Sequence, residues 1–226
     1  MTPPPLPKIR TYVYKDIRPV AAMTRTLLGL SLLANLASMA ATALQWKLFA
    51  GGDFTEAEGA ANDLVMEVMA YLRLGIYVVT GVSVMVWSYR AHVNVRAQGA
   101  VGLSDEPEIV AASYIIPFVN LWIPFRCMRQ LWKHSFPDAG TPGTPPLLIL
   151  WWMAWLLSVF LGQYVSKFIQ VTDLPSGIYA TKVQMVWLAC SVASAVLLYL
   201  IVTRISADQA NRRMLATLPR AEGAIS

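Results

Sequence analysis

The sequence predicts an all-α membrane protein with four transmembrane helices. A proline-broken re-entrant or interfacial segment and a basic amphipathic helix are expected on the cytoplasmic side. Three observations predict this fold. Of the 226 residues, 56% are hydrophobic and only 14% charged, against about 25% charged in soluble domains. Long charge-free runs cover residues 26–46, 139–166 and 183–203, and a helix needs roughly 20 apolar residues to cross about 30 Å of hydrocarbon. The lysines and arginines also gather in segments that alternate with these runs, which fixes orientation by the positive-inside rule.

In chain order, residues 1–19 read as a cytoplasmic arm, proline-rich over its first seven residues and then basic. The membrane domain, 20–204, begins with a span at about 26–48, too long and too late to be a cleavable signal sequence. The loop from Lys47 to Glu67 carries Asp53, Glu56, Glu58, Asp63 and Glu67 and is expected outside. A second span at about 68–90 has only 16 uncharged residues between Arg73 and Arg90. It reaches full length if Arg73 snorkels at the outer interface, with Trp87 and Tyr89 as interfacial anchors. The third and fourth spans are expected at about 147–167 and 183–203, followed by a cytoplasmic tail at 205–226. Both termini then lie inside, with 14 of the 18 cations.

The segment Ile109–Phe125 is also free of charge for 17 residues, so apolar length alone offers a fifth span. Crossing there would place the four tail arginines outside. Pro117, Pro124 and Asn120 interrupt a helix or leave polar groups to satisfy in lipid. The segment is therefore read as a re-entrant or interfacial element, 109–136 with the helix that follows. In that helix Phe125, Met128, Leu131 and Trp132 recur on one face, with Arg126, Arg129, Gln130 and Lys133 elsewhere. Such a helix suits the inner membrane surface, where anionic lipids attract cations. The linker 137–146, PDAGTPGTPP, is a turn-rich break.

Within this layout a pattern stands out: Trp87, Arg90, Asn94, Gly99 and Pro107, then IPFVNLWIPF at 116–125, then Met128, Leu131, Trp132 and Ser135. Trp151, Trp152 and Trp155 follow in the next span, and Ile205, Gln209 and Arg212 close the last helix. Over roughly residues 25–213 this resembles a bacterial membrane family called domain of unknown function 4328. Two positions depart from it: Tyr114 stands where a tryptophan-rich run is expected, and Gln130 where an acidic residue is. The resemblance implies an architecture and no reaction.

Nothing catalytic assembles on spacing. His92 and His134 both fall in the cytoplasmic layer and are read as surface or interfacial rather than as a metal pair; no cofactor or metal site is expected. The span centres lack ionisable residues, the usual mark of an ion path; Asn35 is expected to hydrogen-bond across helices. Cys127, at the expected cytoplasmic surface, and Cys190, mid-span, are read as unpaired thiols. Ala34, Ala37, Ala40 and Ala41 in the first span, and Ala189, Ala193 and Ser194 in the last, are expected to mark helix contacts.

The candidate cluster is Arg90, Asn94, Pro117, Asn120, Pro124, Arg126 and Arg129, with Trp132 on the basic helix. Arg90 and Asn94 share a helix face. One reading is structural, with Asn120 and Arg90 satisfying backbone groups freed by the prolines. The other is a site for an anionic headgroup or small acid. The expected function is a non-enzymatic inner-membrane accessory, scaffold or lipid-interacting protein. Its partners would be the bilayer, anionic lipids at the cytoplasmic face, and a membrane protein or a second copy of the chain, with no nucleic acid. The alternative is a small channel or transporter using 109–125, and an intramembrane enzyme comes third.

Overall fold

The computed structural model describes residues 11–136 and 143–217. The proline-rich start, most of the PDAGTPGTPP linker and the end of the tail lie outside the described residues. Among those described, every regular element is helical: α1 (Arg18–Gly51), α2 (Glu56–Ala97), α3 (Pro107–Ala112), a 3-10 turn (Val119–Leu121), α4 (Ile123–Ser135), α5 (Pro146–Phe168) and α6 (Leu174–Thr217). Four of these helices, α1, α2, α5 and α6, are long and apolar enough to cross a membrane.

The long helices outrun their apolar runs. At 1.5 Å per residue the 42 residues of α2 extend about 60 Å, twice the hydrocarbon thickness. The acidic stretch between the first two spans is accordingly helical from Glu56, and the true connection is only Gly52–Thr55. Its chemistry explains the sharp turn. Gly52 leaves α1 at φ 80°, where a side chain is strained. Thr55 then opens α2 with a capping box, its hydroxyl accepting from the Glu58 N–H while the Glu58 carboxylate accepts from the Thr55 N–H.

α1 packs against both α2 and α6, and α5 against α6. The polar seam between α1 and α2 is made of hydroxyls: Thr24 pairs with Ser83 at 2.7 Å and Ser31 with Thr80 at 2.9 Å. Asn35, expected to bond across helices, instead donates to the Ser31 carbonyl of its own helix at 2.7 Å, an i to i−4 bond that satisfies the amide N–H locally. The small-residue stripes hold only in part. Ala34 and Ser194 are buried as expected and Ala41 is half-buried, but Ala37, Ala40, Ala189 and Ala193 are exposed; Thr24, Leu28, Asn35, Ser38 and Thr42 complete the buried face of α1, and Leu188 and Leu198 that of α6.

The antiparallel order brings the start of α1, the end of α2, the start of α5 and the end of α6 to one end of the bundle, here termed the basic end. α3, the 3-10 turn and α4 lie between α2 and α5 at that end. The largest buried cluster also sits there, joining Ile17, Trp87, Met128, Leu131, Leu148, Trp151, Ile201 and Ile205.

Candidate functional site

Trp87 and Asn94 occupy the inward face of α2, and Gln209 answers them from α6. The Trp87 indole N–H donates to the Ser206 hydroxyl at 2.9 Å. Asn94, wholly buried, spans three segments. Its Oδ1 accepts from the Lys15 N–H at 2.9 Å, and its Nδ2 donates to the Lys15 carbonyl at 2.8 Å and to Gln209 Oε1 at 3.3 Å. Gln209 Nε2 in turn donates to the Ala91 carbonyl at 3.1 Å. A side-chain amide presents one donor and one acceptor side by side, so it pairs with a strap of extended backbone as another strand would. Tyr12, donating to Glu106, and Tyr14, donating to the Gln209 carbonyl, hold the same strap.

Arg90, although on the Asn94 face in register, makes no hydrogen bond or ion pair among the described residues. It is half-buried and adds to Arg18 in holding the Asp16 carboxyl below the usual carboxylate range. The prolines need no help from Arg90 or Asn120. Around Pro117 consecutive tight turns satisfy the backbone: the Val119 N–H donates to the Pro117 carbonyl at 2.7 Å, Asn120 to Ile116 at 3.0 Å and Trp122 to Val119 at 3.1 Å. Pro124 sits in the first turn of α4, where a missing N–H removes no helical bond. The Asn120 side chain is half-buried and makes no hydrogen bond among the described residues.

Arg126 has a partner the sequence reading did not identify. Its Nη2 lies 2.7 Å from both Asp105 carboxylate oxygens, and Arg96 donates to the Asp105 backbone carbonyl. Gln130 donates to the Ser104 hydroxyl at 2.6 Å. The loop between α2 and α3 is thus clasped to α4. Cys127, expected at the surface, is buried inside this clasp with its thiol 3.5 Å from Asp105 Oδ2. Burial, and then the adjacent carboxylate, push the thiol up to about 12, so it is no nucleophile at neutral pH.

His92 is likewise corrected: it is buried, not interfacial. Its Nδ1 lies 2.9 Å from the Ser88 carbonyl, while Nε2 is buried without a hydrogen bond. Burial, reinforced by Arg96, lowers it from 6.5 to about 4. The ring belongs to a packed wall.

α4 presents two opposed faces. Pro124, Cys127, Met128, Leu131 and Ser135 are buried, while Arg129 and Lys133 are exposed. Trp132 flanks the buried face, its ring 4.8 Å from that of Phe136. Ahead of α4 the chain turns outward: Ile115 is 68% exposed, Ile116 47%, Phe118 85% and Trp122 73%. Phe118 holds φ at 63°, an unfavourable value for an aromatic residue. Of the candidate cluster, then, Asn94 is built into the fold, Pro117 and Pro124 shape the turns, Arg126 clasps a loop, and Arg129 stays free on the surface.

Among the described residues no group of three or more His, Cys, Asp or Glu side chains is placed to hold a metal ion. No curated protein and no solved structure matches the chain. A family model described as a domain of unknown function (DUF4328) matches residues 50–207, from the end of α1 to within α6. That match takes in well over half of the sequence, and the chain belongs to this family.

Proposed function

We propose that this multi-pass membrane protein is a non-enzymatic accessory or scaffold of the bacterial inner membrane, and that it engages lipid at the cytoplasmic face through the 115–122 loop and α4. The observation that carries this reading is the exposure of Ile115, Ile116, Phe118 and Trp122 within eight residues. So dense an apolar projection on a water-facing surface favours association, whereas at a bilayer interface it is satisfied by acyl chains and headgroups. The tight turns that close the loop's backbone bonds lower the cost of entering lipid. Arg129 and Lys133, four residues apart on the exposed side of α4, would meet anionic headgroups. The intramolecular bonds of Asn94 and Arg126 in the polar layer beneath support a structural role for both.

The test is a spin label at Phe118→Cys, in a Cys127→Ser/Cys190→Ser background, with the full chain in nanodiscs. Oxygen accessibility should exceed that of a water-soluble nickel complex. The label should sit deeper with phosphatidylglycerol than with phosphatidylcholine alone. A label at Ser104→Cys serves as the aqueous control. Equal, water-like accessibility at 118 and 104 would refute the proposal.

A further inference from the structure

At the opposite end of the bundle a second arginine is placed in a way the basic layer does not explain. Arg73 lies 17 residues before Arg90 on α2, about 25 Å along the helix, inside the predicted span. Its guanidinium stacks on the Trp187 ring of α6, 4.0 Å from the centroid. Trp187 can lie there because the helix behind it carries Gly162. A Cβ at that position would come within 3.1 Å of the indole. Gly162, Trp187 and Arg73 therefore tie α5, α6 and α2 together.

A contact over the ring face occupies none of the guanidinium's N–H donors in a hydrogen bond to an acceptor oxygen. Among the described residues no hydrogen bond or ion pair involves Arg73. The nearest acidic residue before it in sequence, Glu67, is exposed and more than one turn away on α2. Arg73 also lines a small cleft between α1, α2 and α6, together with Ser38, Met66, Met69, Ala70 and Gln184. The Gln184 side chain also makes no hydrogen bond among the described residues. On the same face of α1, one turn past Ser38, the buried Thr42 hydroxyl has no partner. An arginine within a span is costly unless an anion compensates it, and its planar fork of donors suits phosphate oxygens.

We propose that this cleft binds a phosphate group, held by the guanidinium of Arg73 and the amide of Gln184 beside the Trp187 ring. At this depth, near the edge of the hydrocarbon, the phosphate of a phospholipid headgroup is in reach, and inorganic phosphate carries the same chemistry. The site is independent of the 115–122 loop.

The test uses the purified full chain in mild detergent after delipidation. Native mass spectrometry follows titration with phosphatidylglycerol, and equilibrium dialysis follows labelled inorganic phosphate. One phospholipid should bind wild type and bind Arg73→Gln about ten-fold or more weakly, the scale of a lost charge-assisted bond. Arg73→Lys should fall between them, and Gln184→Leu should weaken binding several-fold with the stacked pair intact. Arg73-dependent binding of inorganic phosphate would support the site with a soluble ligand, and binding of lipid alone would assign it to the headgroup. If Arg73→Gln does not fold, Arg73→Lys and Gln184→Leu carry the comparison. Equal binding of both probes by wild type and by every variant that folds would overturn the proposal.

Discussion

Asn94 satisfies both backbone groups of Lys15 and the amide of Gln209 at once. Asn94→Ala would leave several buried polar groups unpaired, at about 1–3 kcal/mol. The expected result is a lower unfolding temperature in detergent and faster proteolysis near residue 12, while retention of anionic lipid is unchanged in the folded fraction. Loss of lipid with unaltered stability would instead make Asn94 a ligand group. His92 gives a pH dependence of known sign. Its folded value of about 4 lies below the ordinary 6.5, so the unfolded chain takes up the proton first. The stability it contributes is present above about pH 6.5 and is lost as pH falls toward 4, up to about 3 kcal/mol for a shift of this size. Unfolding temperatures measured from pH 7.5 to 4.5 should fall more steeply for wild type than for His92→Gln. Neither burial was readable from residue type. A histidine and a cysteine near a span end look interfacial, and only the fold of loop 98–106 over them, drawn by Asp105 and Arg126, takes them out of water.

The long helices were the most legible elements, since charge-free length and the lipid thickness leave little choice. Their contact faces were less so. Alanine stripes suggest close packing, yet hydroxyl pairs such as Thr24–Ser83 carry the crossing, and sequence does not reveal which side of an apolar helix meets protein rather than lipid. In the 109–125 segment the prolines correctly argued against a continuous helix. The exposure of its apolar side chains depends on turns that residue type alone does not determine. Phe118 tests that element: at φ 63° a glycine is relieved of strain worth about 1 kcal/mol. Phe118→Gly should therefore hold or slightly raise the unfolding temperature while weakening association of the loop with lipid. A clear loss of stability would mean that the ring packs against the protein.

At the scale of the whole molecule, charge bookkeeping and helix count converge. Lysine and arginine bias predicts both termini on one side, and the structure supplies four helices able to cross a membrane, with short helices and turns where a fifth would have to be. Function was the least legible property, because the polar residues that most resemble a site are largely those that lock the arm and loop onto the bundle. The central proposal is topological: four crossings, with the 115–122 loop and both ends on the cytoplasmic side and the Gly52–Thr55 turn outside. It is tested most directly in intact bacterial cells by labelling single cysteines, in the Cys127→Ser/Cys190→Ser background, with a membrane-impermeant maleimide. Asp53→Cys should react in intact cells, whereas Phe118→Cys and Ser226→Cys should react only after permeabilisation. Labelling of Ser226→Cys in intact cells, with Asp53→Cys also labelled, would contradict the account.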